Sequence, residues 1–260
     1  LRHPTLLWRR HAQRLLVERH KSDVAPALMK LVADQHMDAI GLNVGAIHAL
    51  WTLHGIGQLD GDDPAATAAA IAALKHPSAG VRRNALQVLP SSPNSTMAVL
   101  QSGVCQDSNA QVQLAAALAL ADLPPVSQAG PTLLAMLDRS AAGQDRWLRD
   151  ASISAAANNA DGFLRAIAAS KSARQPATLD AMRIVAGHYG RTGPVDTIGS
   201  VIAQLTNADP GIANAILNGL AAGWPADKSP RLTDRFESDL GKVMKRLPIV
   251  SQGIMVKLAR

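Results

Sequence analysis

One phrase of this chain occurs twice, as "LRHPTLLWRRHAQRLL" at 1–16 and as "LKHPSAGVRRNALQVL" at 74–89. Aligned at an offset of 73, the two share Leu, a basic residue, His-Pro, two consecutive arginines, an alanine and a closing Leu. A His-Pro pair beside arginines reads in two ways: as a catalytic or anion-binding element, or as a structural phrase that returns because the fold returns. A fixed period favours the second reading and limits the architecture more than any single motif does. With Ala12 and Ala85 as anchors, helices with an apolar residue four before a small residue and another four after it recur along the chain. The series runs Trp8/Ala12/Leu16, Gly45/Ala49/Leu53, Val81/Ala85/Leu89, Val112/Ala116/Leu120 and Trp147/Ala151/Ala155, with anchor spacings of 37, 36, 31 and 35. Weaker members follow at Ala177/Ala181/Val185 and Ile212/Ile216/Leu220.

A spacing of four keeps each triad on one helix face, and a small middle residue lets a neighbouring helix come close. A second amphipathic stretch precedes several of these helices, at 23–35, 64–76, 129–139, 161–170 and 194–205. Asp, Ser and Pro stand at many of the starts, and Gly55, Pro90 and Pro124 at stops. Aromatics are only 3% of the 260 residues, so the core rests on Ala, Leu, Val and Ile, in segments without the strict alternation of strands. The expected fold is all-α.

The net charge of +6 is unevenly placed. Residues 1–21 hold six Lys/Arg against Glu18, and residues 228–260 hold eight against three acids, whereas the 206 residues between carry 12 basic and 16 acidic side chains. A nucleic-acid groove needs cations spread along its length, so this distribution argues against one. No run of 18 apolar residues occurs, and five arginines among the first 20 residues are unlike a signal peptide. The single cysteine, Cys105, excludes an intrachain disulfide, a CxxC pair and a CxxCH haem attachment within these residues.

Two helices per roughly 35 residues, stacked in order, describe an α-solenoid. "VRRNALQVL" (81–89) closely resembles the second helix of HEAT repeats, "WRRHAQRLL" (8–16) nearly so, and "VQLAAALAL" (112–120) keeps the apolar ladder without the arginine. The resemblance implies an α-α superhelix of the HEAT/armadillo type with about seven helical pairs, as a single solenoid over 1–260. It also implies that the repeated arginine joins an acid or a carbonyl of an adjacent repeat. The chain is expected to start and end within a repeat, at an unpaired second helix and at "IVSQGIMVKLAR", and to belong to a longer multidomain protein.

No residue pattern for chemistry stands out. His48 and His54 are six apart, about 240° around a helix, so they do not share a ligand as an i,i+4 pair does. His3, His11, His20, His36, His76 and His188 form no HExxH or other paired metal spacing. GxSxG, GxGxxG and the phosphate-binding loop are absent, and "LDGDDP" (59–64) lacks a calcium-loop register. Neither a catalytic residue, a cofactor site nor a metal site is therefore assigned. An enzyme alternative is that of HEAT-like DNA glycosylases, for which Trp8, Trp147, Arg149 and Asp150 supply the residue types; the acidic centre of the chain opposes it. A weaker alternative, the HEAT-like lyases of bilin chromophores, finds no acid–cysteine–aromatic site.

"AIHALWTLHGIGQLDG", "HPSAGVRRNALQVLP" and "HPTLLWRRHAQRLLVER" further resemble the helical region of large exported bacterial dehydrogenase-like proteins. Those proteins join a sugar/sorbosone-dehydrogenase-type β-propeller to HEAT repeats and often to a c-type cytochrome domain. The resemblance implies a periplasmic or membrane-associated, non-catalytic scaffold whose partners are neighbouring domains or another protein; nucleic acid is a partner only in the separate alternative of a stand-alone HEAT-like nucleic-acid-binding protein or DNA glycosylase. The expected interaction surface comprises Arg9, Arg10, Arg82, Arg83, Trp147 and Arg149.

Overall fold

The computed structural model describes all residues except 61–63, 144, 169, 171, 229–232, 247–251 and 253–260, so all of the closing phrase at 249–260 but Gln252, and residues 61–63 of the acidic turn at 59–64, lie outside the described residues. The described residues form fourteen α-helices and no strand. They divide into two compact units, Leu1–Pro124 and Pro125–Arg260.

In the first unit, α1 (Leu6–Arg19) is followed by three helical pairs: α2 (Ala25–Ala33) with α3 (Val44–Gly55), α4 (Pro64–Ala72) with α5 (Ala79–Val88), and α6 (Pro93–Ser102) with α7 (Ala110–Asp122). The first helices pack in the order α2, α4, α6, and the second helices in the order α1, α3, α5, α7, which makes two layers. The ladder residues explain the close stacking. Ala49, Leu53, Val81, Ala85, Val112, Ala116 and Leu120 are all completely buried. Side-chain caps fix several starts: Asn43 accepts from the Ala46 N–H, Ser92 from Ser95, and Asn109 from Gln111 and Val112.

The second unit repeats the scheme. Its first helices are α8 (Ala129–Gly143), α10 (Ala160–Ala168), α12 (Ile198–Leu205) and α14 (Asp234–Met244), and its second helices are α9 (Arg146–Asn158), α11 (Pro176–Arg191) and α13 (Pro210–Gly223). Here glycines set the helix spacing. A Cβ on Gly219 would strike the Arg183 carbonyl of α11, and one on Gly223 would strike the Gly187 carbonyl. The α11 and α13 backbones are therefore in direct contact. Gly130 and Gly162 play the same part between α8 and α10.

Three ladder positions shift by one residue. Leu148 rather than Trp147 is the buried member of α9, Thr178 rather than Ala177 that of α11, and Val88 rather than Leu89 that of α5. Helix α12 starts at Ile198, because the Pro194 carbonyl accepts from Thr197 and Ile198 and closes a turn over 194–197.

Candidate interaction surface

The twice-used phrase builds the same turn twice. His3 Nδ1 accepts from the Thr5 N–H at 3.1 Å, and His76 Nδ1 accepts from Ser78 at 2.9 Å. Six residues on from each histidine, an arginine reaches back to the turn. Arg9 Nη1 donates to the His3 and Pro4 carbonyls at 2.6 and 2.7 Å, and Arg82 Nη1 to those of His76 and Pro77 at 2.7 and 2.8 Å. Proline suits this place because its fixed φ and missing N–H leave a bare carbonyl turn for the guanidinium to hold. His76 Nε2 further donates to the Asp34 carbonyl at 2.9 Å, tying the turn to the preceding pair.

The two arginines then differ. Arg82 Nε and Nη2 grip both oxygens of Asp107 at 2.7 and 2.8 Å, a bidentate pair that joins α5 to the turn before α7. Burial alone would raise the Asp107 carboxyl, but the Arg82 hydrogen bonds, the Asn109 N–H and the guanidinium charge outweigh it and hold the group below the ordinary carboxylate range. Of the two expectations for Arg82, a pairing with an adjacent repeat and a place on the exposed interaction surface, the first is what the geometry has: its side chain is only 15% exposed and faces the repeat joint. Among the described residues Arg9 meets no such carboxylate, and its Nε is buried without an acceptor.

Arg149 is also taken into the framework, pairing with Asp180 of α11 at 2.9 Å and with Asp150 at 3.6 Å. The Arg183 hydrogen bond and the charges of Arg183 and Arg149, working against partial burial, lower the Asp180 pKa. Arg10, Arg83 and Trp147 do face solvent. Trp147 is 73% exposed, with the Arg146 guanidinium 5.9 Å from its ring centre. Arg83 borders a trough of about 400 Å³ between α5 and α7, floored by Leu86, Leu114 and Leu118. Arg10 borders a larger groove of about 730 Å³ along α1, with Leu6, Leu7, Arg14 and Val17.

The polar residues of α3 serve packing. His48 Nδ1 donates to Gln13 Oε1 of α1 at 2.6 Å, and Trp51 Nε1 donates to Asn84 Oδ1 of α5 at 2.7 Å. Burial, aided by Arg9 and the N-terminal charge, lowers the His48 pKa. His54 packs edge-on against Trp51. These cross-helix bonds are not visible in either residue's own helix, although a polar side chain recurring on the small-residue face of successive second helices is their signal. Cys105 is buried in the short turn Val104–Gln106. Among the described residues no cluster of three or more His, Cys, Asp or Glu is placed to hold a metal, and no helix is long and apolar enough to cross a membrane. Of the glycosylase-type quartet, Trp8 lies in the first unit and Trp147, Arg149 and Asp150 in the second, where Asp150 meets Arg146 and Arg149.

Comparison with curated proteins finds no match for the chain. Residues 67–157, from α4 through α9, match the family model for HEAT repeats. With two layers of paired helices in each unit, that match makes the fold an all-helical, HEAT/armadillo-type α-α superhelix.

Proposed function

We propose that the chain is a non-catalytic scaffold and protein-interaction module that positions the β-propeller and c-type cytochrome domains of an exported, periplasmic or membrane-associated oxidoreductase-like protein. HEAT repeats in general support the scaffold part; the resemblance of 1–120 to the helical region of such proteins supports the rest. The observation that carries the reading is the use made of the repeated arginine. The most motif-like residue of the chain, Arg82, is spent on joining one helical pair to the next, while the troughs beside Arg10 and Arg83 are open to solvent. A stack of this kind has its polar chemistry inside the joints and its adhesive surface on the outside.

Cross-linking of the native protein through its exposed Lys21, Lys30 and Lys75, followed by peptide mass spectrometry, tests the reading. Cross-links to propeller or cytochrome sequences are expected. Cross-links confined to nucleic-acid-binding partners, or none outside the helical region, would overturn it.

A further inference from the structure

We infer that Arg9 is a carboxylate-binding site, its Nε and Nη2 taking an Asp or Glu side chain, or a free carboxylate, from a second molecule as Arg82 takes Asp107. Such a site is independent of the scaffold reading.

The twice-used phrase holds its two arginines alike. At the offset of 73, His3, Pro4 and Arg9 correspond to His76, Pro77 and Arg82. In both copies Nη1 pins the guanidinium by donating to the two turn carbonyls, at distances of 2.6–2.8 Å. Each fork then has Nε and Nη2 left for a further acceptor. In α5 both are used, on the two oxygens of Asp107 at 2.7 and 2.8 Å. In α1 the Nε is buried with no acceptor, and Nη2 meets none among the described residues. A buried donor of a charged group is costly to leave unbonded, and a planar fork with two parallel N–H groups is the shape that a carboxylate matches.

The chain's own carboxylates do not serve Arg9. Asp107 belongs to the pair that follows Arg82; the pair that follows Arg9, α2 with α3 and the residues between them, is described throughout. Asp107 stands two residues before Asn109, the cap of α7, whereas two before Asn43, the cap of α3, stands Gly41. Gly41 has no side chain, and a Cβ placed on it would meet nothing within 4 Å. The four acids of residues 1–43 are engaged elsewhere: Glu18 with Arg14, Asp23 with Arg19, Asp34 with Arg2, and Asp38 with the Ile40 and Leu42 N–H groups. The Arg9 charge is accordingly felt beyond its turn: after burial, it is the next cause that lowers the His48 pKa.

The test follows the arginine Nε–H signals of the full isotope-labelled chain by NMR, assigned through the backbone. The probes are acetate and the capped peptide "QDSNA", copied from 106–110, with inorganic phosphate and chloride as comparison anions. Expected is a saturable shift of the Arg9 Nε–H with both carboxylates and an accompanying rise of the His48 pKa, while the Arg82 Nε–H, already paired, stays still. Arg9→Lys keeps the charge but not the fork and should weaken binding about tenfold, with Arg10→Lys unchanged. Tighter binding of the peptide than of acetate assigns the carboxylate to a protein segment, and equal affinity assigns a free carboxylate. An Arg9 signal that does not move, that moves no more than that of Arg82, or that answers phosphate or chloride more strongly than carboxylate would overturn the proposal. The titration of the native chain decides even where Arg9→Lys lowers the melting temperature. Failure here leaves the scaffold reading to its own cross-linking test.

Discussion

Replacing Arg82 by alanine separates a structural arginine from a binding one. The substitution removes two bonds to the His76 and Pro77 carbonyls and strips Asp107, whose side chain is 7% exposed, of its bidentate partner. Breaking a fully buried ion pair costs about 3–5 kcal/mol by leaving the other charge unpaired. Arg82 retains some solvent contact and Asp107 keeps the Asn109 N–H, which brings the expected loss to about 3 kcal/mol. For a chain of this size that corresponds to a fall in melting temperature of roughly 6–12 °C. Thermal melts followed by circular dichroism read it directly, with Arg83→Ala as the exposed control, expected within about 0.5 kcal/mol of the parent. Combining Arg82→Ala with Asp107→Ala should be less harmful than the two losses added, by about 1–3 kcal/mol. An Arg82→Ala protein that melts with the parent would refute the reasoning and return this arginine to the binding surface.

Gly219→Ala forces a methyl group against the Arg183 carbonyl and to 2.8 Å from Ala186 Cβ, so α11 and α13 must part. The overpacking cost of about 3 kcal/mol, less about 1 kcal/mol of helix propensity, leaves a net loss near 2 kcal/mol, measurable by urea unfolding. His48, with its pKa depressed in the folded chain, adds stability that is complete above pH 6.5 and declines as pH falls through the lower folded value; His48→Gln should flatten that slope in melts taken between pH 7 and 5. Asp107 and Asp180, also depressed, contribute stability above their unfolded pKa of 3.8 that is lost as pH falls through their folded values, and Asp107→Asn should remove part of this acid sensitivity. Duplex DNA should show no steeply salt-dependent binding at ~0.1 M salt; a titration with tight, salt-sensitive binding would revive the nucleic-acid alternative.

The helical pairs were legible because small residues at spacing four leave a strong trace wherever two second helices touch, as at Ala49, Ala85 and Ala116. The shift from Trp147 to Leu148 was not, because i,i+4 and i,i+3 apolar ladders overlap in an alanine-rich helix and only the neighbour's position decides between them. Helix α6 shows why some elements leave little trace. Its buried face includes Ser95 and Thr96, made tolerable by Ser92 and by the Pro124 carbonyl, bonds that no periodicity reveals. The arginine clasp was half legible: its pairing with an adjacent repeat followed from the resemblance, but Asp107 as the partner depends on a turn conformation.

The most direct test of the scaffold account is an immunoblot of fractionated source cells with an antibody to this chain, stained for haem on the same gel. The account predicts a band well above 27.2 kDa in the exported fraction, coincident with haem. A haem-free band near 27.2 kDa that stays with the cell interior would contradict it.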